Sequence, residues 1–224
     1  MLGSAKILIV KPLLIAHRGD TINFPENTPE AFESAFKKGA DGIEFDVHLD
    51  RNEDVIVVHD YLFDENKKYP FLEDALKQFG QKGRLEIEIK SLNPKCVTKV
   101  GKLIREYKLS NFEITSSVLP LFPYIKKEFP KAKIGLIFNE KLISEWMTKK
   151  FTEELFVSYM KLTGANIFHI SLDYWSDNLI KIMHKNNFLT HSHLKDTDLE
   201  KYKKVLELKI DQCTFDDITL LKKV

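Results

Sequence analysis

Strand-like and helix-like stretches alternate from one end of this 224-residue chain to the other, and that rhythm excludes most folds. The short apolar run Leu13–Ala16 is followed by Glu30 to Lys38, where Ala31, Phe32, Ala35 and Phe36 recur at helical spacing. Thr28 or Asn27 offers an N-cap ahead of Pro29, and Gly39 ends the helix. Ile43–Leu49 and Val55–Val58 read as strands. The polar link between them is so short that they must form an antiparallel hairpin centred near residues 52–53, with Asp46 roughly opposite His59. From there the periodicity predicts helix 72–79, strand 85–90, helix 94–107, strand 112–115, helix 119–129, strand 132–138 and helix 142–162. Strand 166–171, helix 177–186, strand 188–193, helix 199–208 and strand 210–215 complete the series. Without the hairpin's return arm this makes eight β-then-α units, the pattern of parallel strands joined by right-handed crossovers. The expected fold is therefore α/β, a small (β/α)8 TIM barrel with an antiparallel hairpin arm after strand two. An open doubly wound sheet would normally carry a Gly-rich phosphate loop after its first strand, and none is present. No linker or composition break divides the chain, so residues 1–224 read as a single domain.

Chemistry-bearing residues collect at the strand ends. His17 and Arg18 close strand one. Glu44 and Asp46 are two apart on strand two and so share a face. His59 ends the hairpin arm, while Glu86, Glu88 and Lys90 alternate along the next strand. In a barrel of this type, reacting groups gather at the C-terminal ends of the strands. Charged residues inside a barrel can also form ion pairs with no chemistry attached. Three carboxylates aimed at one point, however, call for a cation. All-oxygen ligation suits one hard divalent ion, Mg2+ or Ca2+.

The segments His17-Arg18-Gly19, Pro25-Glu26-Asn27-Thr28, Gly39 through Val47, Val57-Val58-His59-Asp60 and Glu86-Ile87-Glu88-Ile89-Lys90 resemble the signature of the glycerophosphodiester phosphodiesterase family. The likeness is dense from residue 13 to 90 and thin from there to about 216. It implies a metal-dependent phosphodiesterase that releases glycerol 3-phosphate and an alcohol. By the same resemblance, His17 and His59 would form the acid–base pair, and Glu44, Asp46 and Glu88 would hold the metal. Arg18 and Lys90 would grip the phosphate, with Glu26 and Asn27 shaping the site floor.

The chain departs from the family in four places, one of them the terminal Gly-x-Asp-Gly…Thr-Asp pattern, which survives only as Ile210-Asp211…Phe215-Asp216. The interval from His59 to Glu88 is short, so the capping insertion is reduced. Ser116-Ser117 stands where the family tends to have Ser-Phe, and the region His191–Leu194 stands where it tends to have Trp-Thr. These changes leave open a lysophospholipase D-like activity on lipid headgroups, or a non-catalytic barrel that binds phosphodiesters. His191 and His193 share a face and read either as a polar strand end or as site lining. His48, nearer the turn, is expected to be solvated, His169 to lie at a strand end and His184 on a helix surface.

Composition narrows the partners. A net charge of +1 gives no field favouring nucleic acid. The apolar stretch Ile7–Ile15 contains Lys11 and Pro12 and is too short to span a bilayer, so neither a leader nor stable membrane insertion is expected. Cys96 and Cys213, the only cysteines, make no disulfide framework, which points to a cytoplasmic protein. The expected partner is a small-molecule glycerophosphodiester; the oligomeric state is open.

Overall fold

The computed structural model describes residues 11–194 and 199–217; the first part of the apolar stretch Ile7–Ile15 and the chain ends of the expected domain lie outside them. Eight parallel strands, β1 (Leu13–His17), β2 (Gly42–Leu49), β4 (Arg84–Ile89), β5 (Phe112–Ser116), β6 (Lys133–Ile137), β7 (Ile167–Ser171), β8 (Leu189–Leu194) and β9 (Gln212–Phe215), form one continuous sheet. It closes because β1 pairs with both β2 and β9. The antiparallel arm β3 (Val55–Val57) pairs with β2, and its Ile56 makes an isolated antiparallel bridge to Phe71. Helices α1 (Pro29–Lys37), α2 (Leu72–Phe79), α3 (Lys95–Glu106), α4 (Phe122–Glu128), α5 (Lys149–Thr163), α6 (Asp177–Lys185) and α7 (Leu199–Leu208) connect the strands. This is the expected (β/α)8 barrel. No helix among the described residues is long and apolar enough to cross a membrane.

Strict alternation on β2 and β4 generates the architecture. Ile43, Phe45 and Val47 on β2, and Leu85, Ile87 and Ile89 on β4, join the apolar core with the helices. Phe45 packs on Phe32 of α1 with ring centroids 5.4 Å apart, and Phe32 meets Phe79 of α2 edge-on at 5.6 Å. The intervening residues Glu44, Asp46, Arg84, Glu86 and Glu88 occupy the other face and are all buried. A sheet closed on itself leaves that face nowhere to go but the barrel interior.

Several local expectations are corrected. The hairpin register places Val47 opposite Val57 and Leu49 opposite Val55. Asp46 therefore lies opposite Val58, whose backbone N–H donates to the Asp46 carbonyl at 3.0 Å. The turn is tightened by the Asp50 side chain, which accepts from the N–H groups of Asn52 and Asp54 at 2.9 and 2.8 Å. His59 sits one position beyond the expected pairing. Helix α5 starts at Lys149 because Thr148 caps it, accepting from Phe151 N–H at 3.2 Å. The stretch from 142 to 147 is not part of that helix, and a 3₁₀ turn over Glu140–Leu142 precedes it. Residues 119–121 likewise form a 3₁₀ turn before α4. His48 is buried, not solvated, because Tyr61 and Phe63 pack against its ring at 5.6 and 5.5 Å. His169 falls mid-strand and faces inward, where it meets Glu113.

Candidate active site

Parallel register assembles the site. His17 is level with Glu44, Glu44 with Glu86, and Asp46 with Glu88. The segment after β1 then folds back over the barrel mouth. Arg18 and Gly19 both take left-handed backbone angles, with φ of 56° and 88°. A Cβ at Gly19 would also lie 2.7 Å from the Ala31 backbone, so this third residue of the His-Arg-Gly run has to be glycine. Thr28 is the cap of α1, accepting from Ala31 N–H. Asn27 is thereby freed to face the barrel mouth, where its amide donates to Asp46 Oδ2 at 3.1 Å.

Glu44, Asp46 and Glu88 are buried, and each offers a carboxylate oxygen within 4.8 Å of the others. Burial, then the neighbouring Asp46, pushes the Glu88 carboxyl up to about 8. Burial and the charges of Asp46 and Glu88 hold Glu44 well above the ordinary range. Asp46 Oδ1 is buried without a hydrogen-bond partner, and its nearest cation is Lys90 Nζ at 3.6 Å. Three buried carboxylates that disfavour one another's charge, one with an orphaned oxygen, fit a divalent cation, which relieves the repulsion and takes the open lone pairs. Two cations flank them. Arg18 Nε lies 3.3 Å from Asp46 Oδ2 while its Nη1 donates to Glu26 at 2.8 Å. Lys90 Nζ stands 5.1 Å above the Tyr61 ring. Ser117 donates to Glu88 Oε1 at 3.2 Å, so the serine at this departure from the family pattern steadies a ligand candidate.

His17 Nδ1 is 2.6 Å from Asp216 Oδ1. An ionised carboxylate only accepts, so Nδ1 carries a proton and the opposite nitrogen, Nε2, lies 3.9 Å from Glu44 Oε2. Burial works against the Asp216 charge, but the His17 hydrogen bond together with the charges of His17, His193 and Arg18 outweighs it and lowers the carboxyl from its ordinary value. His193 meets His17 edge-on at 4.5 Å. His59 does not line the central cavity, and its Nδ1 lies 3.0 Å from Asp60.

That cavity, about 390 Å3, opens at the C-terminal ends of the strands. His17, Arg18, Glu44 and Glu88 line one side, and Ile137, Phe138, Glu140 and Ile170, from β6, β7 and the turn after β6, line the other. Beneath it lies a second polar layer. Arg84 bridges Glu86 and Glu113, and Glu113 also accepts from Gln212 at 2.8 Å and meets His169 Nε2 at 2.7 Å. His191 stacks on His169 at 3.9 Å. It accepts at Nδ1 from Gln212, so its Nε2–H faces Thr214. Burial, and then the neighbouring His169, holds its pKa well below the ordinary value. The barrel thus contains both a carboxylate cluster at the mouth and an ion-paired layer deeper in. His191 and His193 line the cavity rather than merely ending a strand.

Comparison with known proteins decides the kinship. The Glycerophosphoryl diester phosphodiesterase family profile matches residues 17–67, the stretch holding His17, Glu44, Asp46 and His59. A glycerophosphodiester phosphodiesterase of Caldanaerobacter subterraneus subsp. tengcongensis is 35% identical over 175 residues, covering 61% of this chain and 71% of the relative. The chain belongs to the glycerophosphoryl diester phosphodiesterase family. Solved structures agree on the fold of these phosphodiesterases. The Thermotoga maritima enzyme superimposes with a TM-score of 0.75 at 21% identity, over 95% of this chain and 97% of its own. An Oleispira antarctica phosphodiesterase, solved in complex with the product sn-glycerol-3-phosphate, gives 0.79 at 16% identity, over 95% and 96%.

Sequence reasoning gave Asp216 no role, because its partner His17 lies 199 positions away. Only barrel closure, β9 against β1, brings the two together. It also missed the service of Ser117 to Glu88, which no local pattern announces.

Proposed function

We propose that this chain hydrolyses glycerophosphodiesters to glycerol 3-phosphate and an alcohol by histidine acid–base catalysis. The observation that carries the reading is the buried trio Glu44, Asp46 and Glu88 beside a His17 whose Nε2 faces it. Glu44, Asp46 and Glu88 would hold one divalent cation, Mg2+ or Ca2+, which supplies charge neutralisation at a phosphoryl oxygen when bound. Arg18 and Lys90 place two further positive charges at the same rim, suited to a phosphate whose charge grows in the transition state. Glu26 and Asn27 act through others: Glu26 holds the Arg18 guanidinium, and Asn27 fixes the orientation of Asp46.

In the first step His17 Nε2 accepts the proton of the glycerol 2-hydroxyl as that oxygen attacks phosphorus. His59, protonated, gives a proton to the departing alkoxide from the hairpin side. The product is a cyclic phosphate, and the two imidazoles exchange roles as water opens it. Each proton transfer contributes ~10²–10⁴ in rate. The two free, buried cysteines accord with a reducing, cytoplasmic setting.

One observation favours a second reading, a lysophospholipase D-like activity. Ile22, Leu62, Leu92 and Trp146 are exposed on loops that follow barrel strands, at the end where the cavity opens. Such a rim suits an acyl chain or a lipid interface.

The test is release of glycerol 3-phosphate and alcohol from glycerophosphocholine and glycerophosphoethanolamine, with Mg2+ or Ca2+ and with chelator, repeated on lysophosphatidylcholine vesicles. Turnover of the soluble diesters that stops with chelator and falls at least ~100-fold in His17→Ala and His59→Ala supports the main reading. Turnover of lipid alone supports the second. With no turnover at all, the remaining reading is a phosphodiester-binding barrel without catalysis.

A further inference from the structure

We propose that Asp216 is a positioning residue for this reaction: its carboxylate holds the His17 ring in the one tautomer and orientation that aims Nε2 at the reacting hydroxyl. The inference rests on the phosphodiesterase reading and assigns a residue that this reading does not use.

A neutral imidazole exchanges between two tautomers and turns about its side-chain bonds. A base is productive only when its unprotonated nitrogen faces the proton it takes, so a third group that fixes the other nitrogen does catalytic service without touching substrate. Asp216 meets that description. Its Oδ1 is 2.6 Å from Nδ1, while the opposite nitrogen, Nε2, is the one near Glu44. The closure of the barrel dictates the pairing. The last partners of β9 and β1 are Phe215 and Ala16, and Asp216 and His17 are the next residue of each strand. Thr21 Oγ1 reaches the Asp216 carbonyl at 3.5 Å and ties the β1 loop to the same point. His193, edge-on to the ring at 4.5 Å, limits its tilt from the other side. His17, His193 and Asp216 also present donor atoms within 4.8 Å of one another, so a second cation site is the competing role for Asp216.

The experiment compares wild type with Asp216→Ala, Asp216→Asn and Asp216→Glu. It measures kcat and KM for glycerophosphocholine at saturating Mg2+, bound Mg2+ and Zn2+ per chain, and the ¹⁵N resonances of His17. Alanine is expected to lower kcat about 100-fold, the order of loss for a misplaced reacting group, with KM changed by no more than about threefold. Asparagine, near-isosteric and so least disturbing to the fold, is expected to be equally slow, because its amide N–H can donate to Nδ1 and hold the wrong tautomer. Glutamate should recover much of the rate. The His17 spectrum should move from a single Nδ1-protonated form to a mixture in alanine, and cation binding should be unchanged. A kcat for alanine within about threefold of wild type, or a rate loss that tracks a lost cation, would overturn the proposal. Should wild type turn over no diester, the phosphodiesterase reading fails separately. The ¹⁵N tautomer comparison then still decides whether Asp216 fixes the ring.

Discussion

Metal-free protein should lose stability as pH rises through the range where Glu88 ionises. The ordinary value for this carboxyl is 4.5, and in the folded barrel burial and then Asp46 raise it to about 8. A group whose pKa is raised by folding favours the native state below its unfolded pKa. That advantage drains away between the two values and is gone above the higher one. At about 1.4 kcal/mol per tenfold change in equilibrium, the gap corresponds to a ceiling on the order of 5 kcal/mol between pH 4.5 and 8. Glu44 is raised in the same direction, so it adds to the slope. For a chain of this size ~1 kcal/mol moves Tm by ~2–4 °C, so a fall on the order of 10 °C is expected from about pH 5 to about pH 9 in chelator. Added Mg2+ or Ca2+ should restore several degrees at alkaline pH, because a ligand at ~100 times its Kd contributes ~2.7 kcal/mol. The assay is a calorimetric or fluorimetric melt of wild type and Glu88→Gln across that range, with chelator and with cation. Glutamine cannot ionise, so the variant should lose much of the slope and most of the response to cation. A metal-free wild-type Tm that holds level across that range, or a slope identical in Glu88→Gln, would refute the reasoning.

Three further outcomes follow from the barrel interior and its packing. Arg84→Met strips the cation from the buried Glu86 and Glu113 and should cost ~3–5 kcal/mol in urea unfolding; a loss below about 1 kcal/mol would show that the deep layer is not held by charge. Gly135→Ala would drive a Cβ into His169 Nε2 and Glu113 Oε1, so destabilisation of ~1–3 kcal/mol is expected by the same measurement. Phe32→Ala, at the junction of α1, β2 and α2, should cost ~3–5 kcal/mol without changing bound cation per chain.

The order of elements and the identity of most site groups were legible in the residues alone. Alternation on β2 and β4 put Glu44 with Asp46 and Glu86 with Glu88, because a strand repeats every two residues and local spacing suffices to read a shared face. The N-cap of α1 was equally local, narrowed to Thr28 or Asn27. Folding in three dimensions settled which distant residues meet. Nothing near His48 in sequence foretold its burial, since Tyr61 and Phe63 reach it only once the loop after β3 folds back. Which of Glu86 and Glu88 became a ligand candidate depended on what faces each across the barrel: Glu88 meets Asp46, its partner in register, while Glu86 lies against Arg84. The meeting of Asp216 with His17 required the sheet to close, a contact between the chain's two ends that no periodicity encodes.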